Sequence, residues 1–517
     1  MKINNGKWIA LGFLSLSLFA ISIDNTILNL ALPSIANGLG ASATALQWIV
    51  DSYLLVFAAC LLTFGAIGDR IGRKRMLIGG LAVFGIFSLG AGLASSSNML
   101  ITMRALMGVG GAAIMPSTLS ILTDIFRQPK ERALSIAIWS AVFGLGVGVG
   151  PLVGGWLLEH YAWSSIFYIN IPVVLISITG IILVVRASRS SQPKRLDILG
   201  SLLSAGGLFL FIHGIIQAGR VGWSDSGVVA FITGGLVIFA LFGLWERRTK
   251  NPMLPLSFFK NMSFSGAIIS LTLISFVVMG ALFILGQYLQ TILGNTPLQT
   301  GVKLMPLVAA LFLTSVLSAK LAQRMGTKVT VSAGIMLSAL GFFYFYSIAA
   351  VDTAYSSIAF GMVIIGLGMG LTMSPATNSV MGSIPVDEAG VGSAMNDTTR
   401  QIGGAIGVAV IGSTINTNYL GNINGSGWIQ ALPPQLADPI RSSIQAAHGV
   451  ASAIPDPQTS ALIVTKTNEA FVSGMSEALL VTAIVMVVAA VTAFILMPNQ
   501  IISAAEINAE VLVPATE

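Results

Sequence analysis

GAIGDRIGRKRML, residues 65–77, is the stretch that decides the fold. It places one acid, Asp69, and four bases, Arg70, Arg73, Lys74 and Arg75, between two long apolar runs. Gly65, Gly68 and Gly72 remove bulk along it, so two helices joined by a tight turn can press against a neighbour. Lys and Arg collect in the loops that a membrane protein keeps in the cytoplasm, so charge alone reads this stretch as an anchor between two transmembrane helices. The order of the residues carries more than the charge does.

The whole chain fits a membrane. Of its 517 residues, 55% are hydrophobic and only 9% charged, and the mean hydropathy is +0.87. A soluble chain carries about a quarter charged residues. Fifty-six glycines suit helices packed closely in lipid. The net charge of +6 does not imply nucleic acid, because the bases sit in short loops between apolar runs. Cys60 is the one cysteine, which excludes an intramolecular disulfide and a thiolate metal site. The apolar run after Lys2 and Lys7 continues through Asp24 to Pro33 without a small-residue cleavage site, and reads as a retained first helix.

About 20 apolar residues span a bilayer, and that ruler gives fourteen helices. With the N-terminus inside, the expected cytoplasmic segments hold most of the 26 bases, Lys194 and Arg195 among them. Only Arg220, Lys303, Arg441 and Lys466 fall outside or at its edge, and Arg104 and Arg400 lie within helices. That asymmetry sets both termini in the cytoplasm. An internal repeat is legible as well. Ala319–Lys328, AKLAQRMGTK, aligns on Gly65–Lys74 with Gln323 in place of Asp69, and the run ending at Pro375 echoes the one ending at Pro116. The expected organisation is a six-helix bundle over 1–190, two inserted helices within 191–260 and a second six-helix bundle over 261–500. A long outer loop at 416–470 and a cytoplasmic tail at 501–517 complete it.

Several motifs resemble those of a known family. Gly65, Ile67, Gly68, Asp69, Arg70, Gly72, Arg73, Lys74 and Leu77 take the places of the loop signature between helices two and three of the major facilitator superfamily. In helix one, ISIDNTILNLALP resembles the signature of its fourteen-helix drug:proton antiporters through Asp24, Thr26, Asn29, Ala31 and Pro33. LITMRALMGVGGA in helix four matches a superfamily pattern through Leu100, Arg104, Gly108, Gly110 and Ala112, with Met107 replacing the usual Gln. In helix five, Gly146, Gly150, Pro151, Gly154, Gly155 and Leu157 fit a pattern associated with exporters, and Trp163–Pro172 also looks like the fourteen-helix family. The resemblance implies an all-α major facilitator fold of fourteen transmembrane helices.

Charged residues inside a bilayer are costly and mark function. Asp24, deep in helix one, is expected to face a central cavity as a proton-accepting carboxylate. Asp51, between Trp48 and Tyr53, serves either substrate and proton handling or an interfacial belt. Arg104 stays charged at any working pH and is expected to tune a nearby carboxylate. Asp397 and Arg400 stand at i, i+3 in the expected helix 387–415, with Asp397 roughly 15 Å along it, so they can pair, either as a self-neutralising structural pair or, as the resemblance to the antiporters' helix thirteen implies, as a proton-coupling or substrate site. The resemblance implies that the loop of Gly65, Asp69, Arg70, Gly72, Arg73 and Lys74 latches onto the start of that helix, where Asp387 and Glu388 offer partners to Arg70, Arg73 or Lys74. His213, Gln217 and His448 lack metal-ligand spacing and read as packing or surface residues. Met369, Met373 and Met381 offer either an adaptable cavity lining or ordinary apolar bulk.

No P-loop, HExxH, nucleophile elbow or metal cluster is legible, so neither an enzyme nor a cofactor is expected. The expected function is proton-coupled efflux of hydrophobic, cationic drugs across the cytoplasmic membrane by a monomer, driven by the proton gradient. Its partners are lipophilic small molecules, protons and membrane lipid, with no nucleic acid. Two alternatives stand beside it: export of one compound, such as a tetracycline-like antibiotic, metabolite or lipid, and a receptor or scaffold that transports nothing.

Overall fold

The computed structural model describes residues 2–189 and 196–500. Lys194, Arg195 and the tail 501–517, together with the first domain boundary near 190, lie outside the described residues. Every regular element among those described is helical. The first seven are α1 (Lys2–Leu39), α2 (Ala43–Ile71), α3 (Arg73–Gly92), α4 (Ser97–Ile125), α5 (Pro129–His160), α6 (Ser165–Tyr168) and α7 (Asn170–Val184). A hairpin follows, α8 (Ile198–Val221) and α9 (Ser226–Arg248). Then come α10 (Met262–Gln287), α11 (Pro297–Met325), α12 (Thr327–Ile348), α13 (Tyr355–Gly382) and α14 (Ala389–Asn424). Three short helices, α15 (Gly427–Gln430), α16 (Pro434–Ser442) and α17 (Ile444–Ala453), precede α18 (Pro457–Leu496).

Thirteen stretches among the described residues are long and apolar enough to cross a membrane. The expected helix missing from those thirteen is α14, whose run Asn396–Gln401 dilutes its hydropathy although the helix is continuous. The expected long loop at 416–470 is mostly helix. Asp456 caps the amides of Gln458 and Thr459, and Pro457 takes the first helical position, so α18 starts well before the apolar run does. The Tyr419 hydroxyl donates to the Ile440 carbonyl at 2.7 Å, and His448 bonds Asn468 at 2.8 Å, which holds α16 and α17 against the long helices.

Packing repeats in two sets. α1 lies on α5, α2 and α3 on α4, and α3 on α7; in the same way α10 lies on α14, α11 and α12 on α13, and α12 on α18. The turns that align in sequence also match in backbone. Gly72 ends α2 at φ +113° and Gly326 ends α11 at φ +86°, a region where a side chain would be strained. Each next residue donates its amide to the chain beyond the last long helix of its set: Arg73 to Ser188 and Thr327 to Asn499, both at 3.0 Å. The sets meet along α2–α14 and α5–α11. The α8–α9 hairpin packs at the first of these seams, where Leu55 and Leu62, Leu208 and Ile212, and Val391 and Ala394 share an apolar cluster apart from the main core.

Candidate functional site

Asp24 and Arg104 meet inside the first set of helices. Arg104 Nη1 donates to Asp24 Oδ2 at 2.6 Å, and both side chains are 2% exposed. Asn170 Nδ2 donates to the other carboxylate oxygen at 3.0 Å and to Ser88 Oγ at 3.1 Å. Arg104 also donates to the Ile49 carbonyl, and its guanidinium lies 4.3 Å from the centre of the Tyr53 ring. A buried charge persists only when paired and hydrogen-bonded, and this one is both. The expectation that Asp24 faces the large cavity is corrected: α4 and α7 enclose it, and the α1 residues in the cavity wall are Asn29 and Leu32.

That cavity, of about 540 Å³, lies between α1, α2, α5, α8, α10 and α14. Its wall is mostly apolar, with Leu32, Val50, Leu54, Met279 and Phe283 among the larger side chains, and Asp51 is the one acid among its described lining residues. Volume and lining fall in the range of ligand sites. Arg220, at the last turn of α8, donates to Asp51 Oδ2 at 2.9 Å and reaches Gln47 Oε1 at 3.4 Å. Arg220 is therefore not a loose base at the outer edge but part of the cavity wall. α2 connects the two acids. Ile49 and Tyr53 touch the Asp24–Arg104 pair, whereas Val50, Asp51 and Leu54 face the cavity. Met373 lines the cavity, and Met369 and Met381 are packed in the core. His213 is sandwiched among Trp48, Phe209 and Phe231.

The second electrostatic centre differs from its expectation. Asp397 and Arg400 form no ion pair. Asp397 is fully buried and accepts from Asn396 Nδ2 at 2.9 Å, and its other oxygen has no donor among the described residues. Arg400 turns the other way, into the cavity wall, with its guanidinium 4.4 Å from the centre of the Phe143 ring on α5. Residues three apart on a helix point about 60° from each other, and a long Arg side chain then follows the better surface, an aromatic face.

At the opposite end of the α2–α14 seam the backbones touch. A Cβ on Gly65 would lie 2.5 Å from the Gly390 carbonyl oxygen, and one on Gly390 would lie 2.5 Å from that of Gly65. Asp69 accepts from the amides of Gly390 at 2.9 Å and Val391 at 3.2 Å, so an acid on α2 caps the open amides at the start of α14. Arg73 pairs with Asp69 at 2.8 Å and donates to the Val386 carbonyl, and Lys74 donates to the carbonyls of Ile182 and Val185. Arg70 is exposed. In α5, Gly146, Gly150 and Gly154 receive Ser22, Thr26 and Ile27 of α1, while Gly155 receives Leu298 and Pro151 faces Gly301, both of α11.

A multi-helix membrane fold in two repeated sets, with a ligand-sized cavity between them, defines a membrane transporter. The Major Facilitator Superfamily model matches residues 14–408, and the chain belongs to that family. It is 33% identical over 483 residues to "Multidrug efflux pump LfrA" of Mycolicibacterium smegmatis, covering 93% of this chain and 95% of that one. It is 30% identical over 492 residues to "Tetracenomycin C resistance and export protein" of Streptomyces glaucescens, with 94% and 91% covered. It is 31% identical over 480 residues to "Methyl viologen resistance protein SmvA" of Salmonella typhimurium, with 92% and 94% covered. Among solved structures, the proton:xylose symporter XylE superposes at TM-score 0.63 with 11% identity, covering 98% of this chain and 99% of that one. The human organic anion transporter MFSD10 superposes at 0.58 with 12% identity, covering 94% and 100%. Among the described residues no group of three His, Cys, Asp or Glu side chains is placed to hold a metal.

Sequence reasoning missed Arg220, Gln47, Asn170, Phe143 and Gly390. Asn170 lies in the family-like stretch Trp163–Pro172 and was open to notice there. Arg220 carries no sequence signal, because a lone base at a helix end is ordinary.

Proposed function

We propose that this protein is a proton-driven exporter of lipophilic cationic compounds, working as a monomer by alternating access across the cytoplasmic membrane, with both termini inside and no cofactor. The observation that carries the reading is the cavity of about 540 Å³ with an apolar wall and the carboxylate of Asp51 in it. Relatives named as a multidrug efflux pump and as resistance proteins support the export direction. In this reading 1–190 and 261–500 are the two rocking bundles, and 191–260 is the inserted pair. Asp24 is the proton site, because a proton there would release Arg104 from the carboxylate and shift Ile49 and Tyr53 on α2, whose other face holds Asp51. Asp397, buried beside the cavity, is a second proton site.

The test is flux in reconstituted vesicles with an imposed pH gradient. Addition of tetraphenylphosphonium should drive proton movement, and the absence of any substrate-dependent proton flux would overturn the reading. Asp24→Asn should cut that flux at least about tenfold, which corresponds to about 1.4 kcal/mol. Tetraphenylphosphonium binding should stay within about twofold, since Asp24 is not in the cavity wall. Because an orphaned buried Arg104 costs about 3–5 kcal/mol, the double variant Asp24→Asn, Arg104→Gln separates lost coupling from lost fold. Flux at the normal rate in either variant would remove Asp24 from the mechanism. A second reading, export of one neutral or acidic compound, is favoured by the two arginines, Arg220 and Arg400, that face one acid in the cavity. A lipophilic anion that drives flux where tetraphenylphosphonium does not would establish it.

A further inference from the structure

We infer that Arg220 is a built-in stand-in for the substrate: it occupies the carboxylate of Asp51 while the cavity is empty and gives the position up to an incoming cation. The inference rests on reading the cavity as a cation-export site.

Four observations lead to it. Asp51 is held in the wall, with its side chain 8% exposed, whereas the Arg220 side chain is 31% exposed. Of the two partners, the arginine is the one with open space around its side chain to move into. Arg220 also hangs from the last turn of α8, one residue before Val221, and Gly222 follows at φ +95°. The side chain therefore sits beside a bend in the chain rather than in mid-helix. Its second acceptor, Gln47, lies 3.4 Å away and keeps the guanidinium near the site after it leaves the carboxylate.

Charge supplies the third observation. Among the described lining residues the one acid, Asp51, is already taken by Arg220, and the remaining charge, Arg400, has the buried Asp397 behind it. A monovalent cation added to that arrangement would meet two guanidinium groups and no free carboxylate in the wall, in an apolar surround where like charges repel strongly. If the cation takes Asp51 and Arg220 moves aside into that open space, one ion pair replaces another. Arg400 cannot play the same part, because it is seated on Phe143 and the acid of the cavity wall, Asp51, pairs with Arg220 instead.

The fourth observation is where α8 sits. A Cβ on Gly219 would lie 3.0 Å from the Ala409 backbone, and Trp223 Nε1 donates to Ser413 Oγ at 3.1 Å, so the end of α8 rests on α14. The Asp51–Arg220 pair ties the same end to α2. Release of Arg220 from Asp51 breaks the ion pair between α8 and α2 and leaves Gln47 and the apolar contacts in place, so the end of the inserted hairpin responds to loading while the hairpin stays docked.

Equilibrium dialysis of labelled tetraphenylphosphonium against the purified full chain tests this. Arg220→Gln should tighten the Kd at least about fivefold, because the competitor is gone. Arg220→Lys, which keeps a charge, should remain within about twofold of the parent. Asp51→Asn should bind weakly, and adding Arg220→Gln to it should bring no gain. Triphenylphosphine oxide, a neutral probe of similar size, should shift less than about twofold in every variant. Unchanged or weaker cation binding by Arg220→Gln, or an equal gain for the neutral probe, overturns the inference and leaves Arg220 a brace. A melting temperature within a few degrees of the parent confirms that each variant is folded. If vesicles of the parent show no cation-driven proton flux while Arg220→Gln still binds more tightly, the export reading fails and displacement stands. Normal flux without tighter binding sinks displacement alone.

Discussion

The two seams between the helix sets occupy equivalent places in the repeat, yet they are built differently. α5 and α11 touch along their whole length. Ala133 and Ala137 meet Ala319 at one end, Gly144 and Gly148 receive Leu311 and Val308 in the middle, and Gly155 receives Leu298 at the other end. α2 and α14 touch at one end only, where Gly65 meets Gly390 and Asp69 caps the helix start. From Ala58 back to Leu46 on α2, and from Arg400 to Gly412 on α14, the two helices part around the cavity, with α8 against them. At the position equivalent to Asp69 the other seam carries Gln323, which is exposed. An apolar seam tolerates small sliding because its contacts are weak and numerous. A charge-assisted cap is directional and is either made or broken. The α2–α14 seam is thus closed by a few directional contacts at one end, and the α5–α11 seam by many apolar ones along its length.

The largest effect should come from Gly390→Val. Its side chain would meet the Gly65 carbonyl oxygen and the Asp69 carboxylate, at 2.5 and 2.7 Å from the first atom alone, and backbone cannot step aside. Vesicle flux should fall at least about a hundredfold with cation binding retained, a loss of about 2.7 kcal/mol of transition-state stabilisation. Asp69→Asn should act less severely. One amide oxygen can still accept from Gly390 or Val391, but the charge assistance, worth about 1.5–3 kcal/mol, is lost. Turnover should slow about tenfold with Kd within about twofold. A large loss of affinity instead would mean that this turn shapes the cavity. The smallest change is expected at the α5–α11 seam. A Cβ at Gly144 would lie 2.2 Å from a Leu311 methyl and no nearer than 3.5 Å to any other atom of that side chain, which can be shortened. Gly144→Ala should therefore slow flux about threefold, and Leu311→Ala in the same chain should restore most of it. Failure of that rescue would show that the two seams do not differ in the way their contacts indicate.

Much of this was legible in one dimension. Hydropathy and length gave the membrane class and the helices, because a bilayer imposes the same apolar length on each span. The glycine turns at Gly72 and Gly326 were visible in the repeat, since a backbone in the left-handed region selects glycine. The motifs of α2, α4 and α5 carried the family. The same ruler found α14 but stopped short of its end, and it left 416–470 as a loop, because the helices there are polar or short and their stability comes from neighbours.

Direction and partnership needed the tertiary structure. Side chains on a helix turn about 100° per residue, so the presence of Asp24 and Asp51 in apolar runs could not say which faces the cavity and which is enclosed by Arg104 and Asn170. Likewise Asp397 and Arg400 are close in sequence, but a phenyl ring brought in by α5 takes the arginine away from the acid. Arg220 becomes the partner of Asp51 only because a hairpin 169 residues further along the chain packs against α2 and α14. The sequence specified which charges enter the membrane, since that depends on residue type and length; the packing of separate helices chose their partners, since a buried charge takes whichever neighbour the fold brings within hydrogen-bond reach.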